Sequence, residues 1–138
     1  MGMSFADMLD ASRREAEKVR KRPDDEEHRL QVACVRWFRL QYPGMAKSLI
    51  AVPNGGRRDE VTGAKLKAEG VVAGVADLLL LEARGGYAGL AIEMKTEKGR
   101  QSRSQEEWQR YITGRGWDYV VVRSLEQFMA VVKDYLLV

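Results

Sequence analysis

Arg84-Gly85-Gly86-Tyr87 separates two short apolar runs, and this arrangement limits the possible folds more than any other feature of the chain. An acid, Asp77, heads the first run, Leu78-Leu79-Leu80-Leu81, and the second carries Ile92-Glu93-Met94-Lys95. Paired glycines allow the tight left-handed turn of a hairpin, so the runs read as two antiparallel strands folded about Gly85. That register sets Asp77 opposite Glu93. Side chains alternate along a strand, which places Glu93 and Lys95 on one face and packs Ile92 and Met94 into the other. Two carboxylates facing each other in a half-buried site repel and raise each other's pKa unless a cation lies between them. With oxygen ligands and no cysteine or histidine nearby, Mg²⁺ or Mn²⁺ is favoured over zinc, at about 2.0–2.1 Å from each carboxylate for magnesium. Lys95 adds a positive charge beside the pair. Glu-x-Lys on a strand is by itself usually a solvated charge pair; the acid across the hairpin argues for a site.

The chain has 138 residues, enough for one compact domain and too few for a second core. Hydrophobic residues at 45% and charged residues at 31% describe a globular chain, and no apolar run approaches the span of a bilayer. The net charge of +3 is compatible with a polyanionic partner but too mild to establish one. A single cysteine, Cys34, excludes an internal disulfide, and its place in an apolar helical pattern reads as a buried structural thiol rather than a nucleophile. The start, Met1-Gly2-Met3-Ser4-Phe5-Ala6, lacks a signal-peptide core and a myristoylation pattern, so a cytoplasmic protein is expected.

Phe5, Met8, Leu9, Ser12, Ala16 and Val19 have helical spacing on a strongly basic helix, which Pro23-Asp24-Asp25 stops. Residues 1–23 therefore form a basic helical extension, and residues 24–138 form the domain. A helix from about Asp25 to Gln41 places Leu30, Cys34, Trp37 and Phe38 inward. Ser48–Val52 reads as a strand leading into Pro53-Asn54-Gly55-Gly56-Arg57-Arg58, and Glu60–Glu69 as a helix stopped by Gly70. Beyond the hairpin, Ser102-x-x-Gln105 and Ser104-x-x-Glu107 are capping-box patterns for a helix carrying Trp108, Tyr111 and Ile112. Trp117–Val122 is a strand, and Ser124-x-x-Gln127 opens a last helix with Leu125, Phe128, Met129, Val132, Tyr135 and Leu136 inward. The predicted class is α/β: a small mixed four-stranded sheet flanked by helices.

Glu27-His28-Arg29-Leu30-Gln31, Pro53-Asn54-Gly55-Gly56-Arg57, the run Ala64–Gly70, Gly74-Val75-Ala76-Asp77-Leu78, Gly89–Lys95, and Gln105 with Trp108 together resemble the stand-alone virus-type replication-repair nuclease (VRR-NUC) domain, of the PD-(D/E)-x-K superfamily. The resemblance covers most of the chain from about Glu26 to Tyr135. It implies an αβββαβ restriction-endonuclease-like core with extra helices, and a phosphodiesterase that cuts DNA with Mg²⁺ or Mn²⁺. It further implies that Asp77 and Glu93 bind the metal, with the main-chain carbonyl of Met94 as a further ligand, and that Lys95 serves the attacking water and the phosphate. Glu27 matches the family's helix glutamate, which implies that it completes the acidic cluster, either on a second ion or through water. Gln31 and Gln105 match positions lining the site. One departure is Ala76, where the family usually has proline; alanine leaves the local backbone to be set by the sheet. Homodimers that cut branched DNA such as four-way junctions are also implied.

Several of these residues have plainer readings. Glu27 also complements its helix dipole, and Gln105 also serves as the capping partner of Ser102. The Asn54 loop is either an ordinary turn or a phosphate clamp using Arg57 and Arg58, while Lys65, Lys98 and Arg100 flank the site in sequence and are candidates to track a DNA backbone. His28 reads as exposed, and Trp37, Trp108 and Trp117 as packing residues. Two other functions fit the same residues: a silent branched-DNA-binding module, and a restriction-like nuclease acting on linear duplex. If the basic extension grips flanking DNA, each phosphate that it neutralises steepens the fall of affinity with salt. Deleting the residues before Pro23 is expected to flatten the slope of log affinity against log salt, measured by fluorescence anisotropy on a labelled junction; an unchanged slope leaves those cations as a solvated helix face.

Overall fold

The structure, a computed structural model, describes residues 4–11, 23–53 and 60–137. Residues 5–11 are helical, with the Ser4 hydroxyl accepting from the Asp7 N–H at 3.1 Å, an N-cap contact. The rest of the predicted N-terminal helix lies outside the described residues.

Helix α1 (Pro23–Gln41) starts on a proline, which suits a first turn because its missing N–H has no helical partner there. Cys34 and Phe38, one turn apart, are fully buried, with Leu30 and Trp37 packed beside them as the spacing predicts. A short 3₁₀ helix (Pro43–Ser48), not expected from the sequence, links α1 to strand β1 (Leu49–Ala51). Its six residues are too few for periodicity to distinguish from a loop. Helix α2 (Glu60–Ala68) ends before Gly70, whose φ of 105° suits its role as a stop. Strands β2 (Leu78–Leu80) and β3 (Leu90–Met94), helix α3 (Arg103–Thr113), strand β4 (Asp118–Val122) and helix α4 (Leu125–Leu137) complete the chain. Among the described residues no helix is long and apolar enough to cross a membrane.

The sheet order is β1-β2-β3-β4, with the first two pairings antiparallel and β3–β4 parallel through the α3 crossover. At the tip of the β2–β3 hairpin, Arg84 and Tyr87 exchange both backbone hydrogen bonds (3.1 and 2.8 Å) around Gly85 and Gly86, both at positive φ. This is the two-residue turn that the paired glycines predict. Leu78 pairs with Ile92 and Leu80 with Leu90, so the hairpin folds in the predicted register.

Alternation then sorts the sheet into two faces. Leu49, Leu78, Leu80, Leu90, Ile92, Met94 and Val122 project to one side and form a single core with Cys34 and Phe38 of α1 and Phe128, Val132 and Tyr135 of α4. Burying each large aliphatic side chain contributes about 1.5–3 kcal/mol, so a one-residue slip that turned this set outward is strongly opposed. The other face carries Ala91 and Glu93 and is covered by α3. Strand β3 is therefore buried on both faces, a deeper setting than the half-buried one read from the sequence. α3 itself contributes no fully buried side chain, and Tyr111 is exposed with Arg115 stacked on its ring at 4.7 Å.

Gly74 seats the approach to β2 against the start of α3: its φ is +83°, and an added Cβ would meet the Ser104 carbonyl oxygen at 2.2 Å. Gly70, at φ +105°, has nothing within 4 Å. Both positions strain an L residue, but only Gly74 adds a backbone collision. Gly74→Ala is expected to lower stability by at least about 1 kcal/mol more than Gly70→Ala, as read from urea-denaturation midpoints.

Candidate active site

Asp77 sits one residue before β2, where the Val52 N–H donates to its carbonyl at 2.8 Å and continues the β1–β2 ladder. Its side chain reaches across the hairpin, and Oδ2 accepts from the Met94 N–H at 2.7 Å. Continuing the Leu78–Ile92 register by one step places Asp77 opposite Glu93, as predicted. The Glu93 side chain, only 1% exposed, forms a hydrogen bond with that of Asp77. Gln105 Nε2 donates to Glu93 Oε1 at 3.3 Å, and the Tyr119 hydroxyl to Oε2 at 3.1 Å. Lys95 follows β3 immediately; its N–H bonds the Val122 carbonyl at 3.0 Å, and the residue is 9% exposed.

Burial is the main force that pushes the Glu93 pKa up to about 9, reinforced by its hydrogen bond to Asp77 and by repulsion from that carboxylate. The Tyr119 hydrogen bond and the Lys95 charge pull in the opposite direction without cancelling it. At neutral pH Glu93 therefore keeps its proton. A hard divalent cation can replace that proton, and the all-oxygen donor pair fits such an ion. Burial and the nearby Glu93 raise the Tyr119 hydroxyl above its usual range, so it stays protonated and able to donate.

Gln105 performs both of the tasks open to it. Its Oε1 accepts from the Ser102 N–H at 2.8 Å while the Ser102 hydroxyl accepts from the Gln105 N–H at 3.3 Å, a complete capping box at the start of α3. With the oxygen engaged in that cap, the amide nitrogen is directed at Glu93. Ala76, the residue before Asp77, is fully buried.

Lys98 and Arg100 are exposed on the loop after Lys95. The Arg123 guanidinium at the end of β4 clips this loop, donating through Nη1 to the carbonyls of Thr96 (2.7 Å) and Gly99 (2.6 Å). Lys65 is exposed on α2, while Lys67 and Gln105 line a cleft of about 390 Å³ between α2 and the start of α3. Gln31 lines another cleft, of about 460 Å³, with the exposed His28 and with Ala51 at the end of β1 nearest Asp77. Among the described residues no group of three or more His, Cys, Asp or Glu is set to hold a metal. Asn54, Arg57 and Arg58 lie outside the described residues. Cys34 is buried with its thiol pushed up to about 12, an inert packing residue.

Sequence reasoning missed Tyr119, Gln101 and Arg123. Tyr119 and Arg123 gain their roles from the parallel pairing of β3 with β4, which no local pattern announces. Tyr119 did carry one signal: it is the sole aromatic residue in the strand Asp118–Val122.

The family model of the VRR-NUC domain matches residues 25–126. A solved structure described as a VRR_NUC domain protein is 26% identical, with a TM-score of 0.69, over 80% of this chain and 87% of that one. No curated protein matches the chain significantly.

The raised Glu93 pKa has a consequence for stability. From the ordinary value of 4.5 to about 9, folded Glu93 holds a proton that the unfolded chain releases, so stability without metal falls as pH rises through that window. In the presence of a chelator, the thermal midpoint of the parent is expected to drop more between pH 6 and pH 8.5 than that of Glu93→Gln, which cannot ionise. Equal drops would place the raised carboxyl elsewhere.

Proposed function

The chain belongs to the VRR-NUC domain family, a nuclease family, and from that premise we propose that Asp77, Glu93 and Lys95 are the active site of a divalent-metal-dependent DNA endonuclease. The observation that carries this reading is the Asp77–Glu93 contact, a buried acid facing a half-buried one across the hairpin, with Lys95 buried on the next position of the same strand face. Asp77 and Glu93 hold Mg²⁺ or Mn²⁺, with the Met94 carbonyl as a further ligand and Glu27 acting through water. When bound, the ion offsets the charge of the phosphate and makes water more acidic. Lys95 orients the attacking water and holds its positive charge at the phosphate, where a partly dry site strengthens the attraction. Gln105 keeps Glu93 oriented. Lys65, Lys98, Arg100 and Gln31, with Asn54, Arg57 and Arg58, bind the flanking phosphates.

Branched DNA acted on by a homodimer is the substrate reading that we favour. A two-fold dimer presents two equivalent sites, which suits a four-way junction. Leu137 of α4 and Phe5 of the N-terminal segment are strongly exposed and offer apolar surface for the contact. A lone buried cysteine suits a reducing cytoplasm.

Cleavage measured with Mg²⁺ or Mn²⁺ on a four-way junction, a flap and a linear duplex is expected to be fastest on the junction. Glu93→Ala and Lys95→Ala are expected to slow it by about 10²–10⁴-fold. Both variants cutting at the parent rate rules out this site. Binding without cutting by the parent reassigns the chain as a silent DNA-binding module, and preference for linear duplex as a restriction-like nuclease.

A further inference from the structure

Glu93 receives one hydrogen bond at each carboxyl oxygen, and the donor at Oε2 lies on a strand that supplies none of the proposed reacting groups. The Tyr119 hydroxyl donates to Glu93 Oε2 at 3.1 Å, and its own oxygen accepts from Gln101 Nε2 at 3.1 Å. The same Gln101 nitrogen donates to Gln109 Oε1 of α3 at 3.0 Å. Because an amide nitrogen only donates, Gln101 occupies the acceptor side of the hydroxyl and leaves its proton for Glu93. Tyr119 pairs with Ala91 across the parallel ladder and therefore shares the face of Ala91 and Glu93. Ala91 is fully buried and methyl-sized, so the phenol passes over it toward the carboxylate two residues on. The Trp108 ring, with its centroid 6.2 Å away, packs the phenol from α3.

We propose that Tyr119, backed by Gln101, is a positioning residue that fixes the Glu93 carboxylate as a metal ligand. This inference rests on the reading of Asp77 and Glu93 as the metal-holding pair. A carboxyl group restrained at both oxygens by neutral donors is not tied up in an ion pair and offers its remaining lone pairs to an ion in one orientation. That restraint matters most for ions with strict geometry: Mg²⁺ and Mn²⁺ suit octahedral oxygen sites, whereas Ca²⁺ accepts looser arrangements at about 2.3–2.6 Å. Tyr119 therefore contributes to discrimination between small and large divalent ions as well as to affinity.

The test is binding of the metal alone, without DNA, by Mn²⁺ electron paramagnetic resonance and by calorimetry with Ca²⁺. Tyr119→Phe is expected to weaken Mn²⁺ by about 10–100-fold and Ca²⁺ by less. Gln101→Leu, which leaves the hydroxyl but frees its rotation, is expected to weaken Mn²⁺ in the same direction by a smaller factor, with the metal-free thermal midpoint near that of the parent. Parent-like Mn²⁺ affinity in Tyr119→Phe overturns the proposal, as does an equal loss for the two ions. Should Tyr119→Phe not fold, parent-like Mn²⁺ affinity in Gln101→Leu overturns it. Glu93→Gln separates the two levels: Mn²⁺ retained there refutes the metal-holding pair itself, whereas Mn²⁺ lost there but kept by Tyr119→Phe refutes the role of Tyr119 alone.

Discussion

Gly85 and Gly86 both adopt left-handed backbone and reverse the chain between β2 and β3. The strands pair Leu78 with Ile92, one residue out of step with the Arg84–Tyr87 bridge at the turn, so the alternation of buried side chains and not the turn sets the register. The apolar set Leu78, Leu80, Leu90, Ile92 and Met94 then falls on the face of α1 and α4, and Asp77, Glu93 and Lys95 fall on the other. A slip by one residue would carry three ionisable groups into the core and turn five large side chains outward, so the interaction that builds the core also builds the site. Stability and chemistry share one register.

The second layer of the site comes from α3. The capping box is local chemistry, satisfying orphan N–H groups at a helix start, yet it also decides which end of the Gln105 amide points at Glu93. Gly74 lets the chain leading to Asp77 lie against that same helix start. Helix and strand thus meet at a point where neither can shift without disturbing the carboxyl pair.

The hairpin and the facing acids were legible in the sequence because paired glycines mark a reversal and alternation sorts side chains to faces, both short-range signals. The core positions Cys34, Phe38, Phe128, Val132 and Tyr135 were legible for the same reason, from helical spacing. The burial of β3 on both faces was not, because its second cover, α3, arrives through packing that periodicity does not encode. Tyr119 escaped notice because its partner is set by a parallel crossover, where register depends on the whole sheet. Gln105 was legible as a cap and, through the family resemblance, as a site residue, though not as one side chain doing both.

The character of the donors around Glu93 explains why the pair stays receptive to a cation. A guanidinium in place of Tyr119 or Gln105 would neutralise the carboxylate, hold it in an ion pair and compete with any metal. A phenol and an amide orient it without cancelling its charge, and the desolvation that remains, several kcal/mol for an unpaired buried ion, is offset by a proton when no metal is present. Lys95, the one cation buried among the described residues, only moderates the pKa of Glu93. Its charge therefore remains available for another partner, and a phosphate approaching the acids from solvent offers the complementary sign.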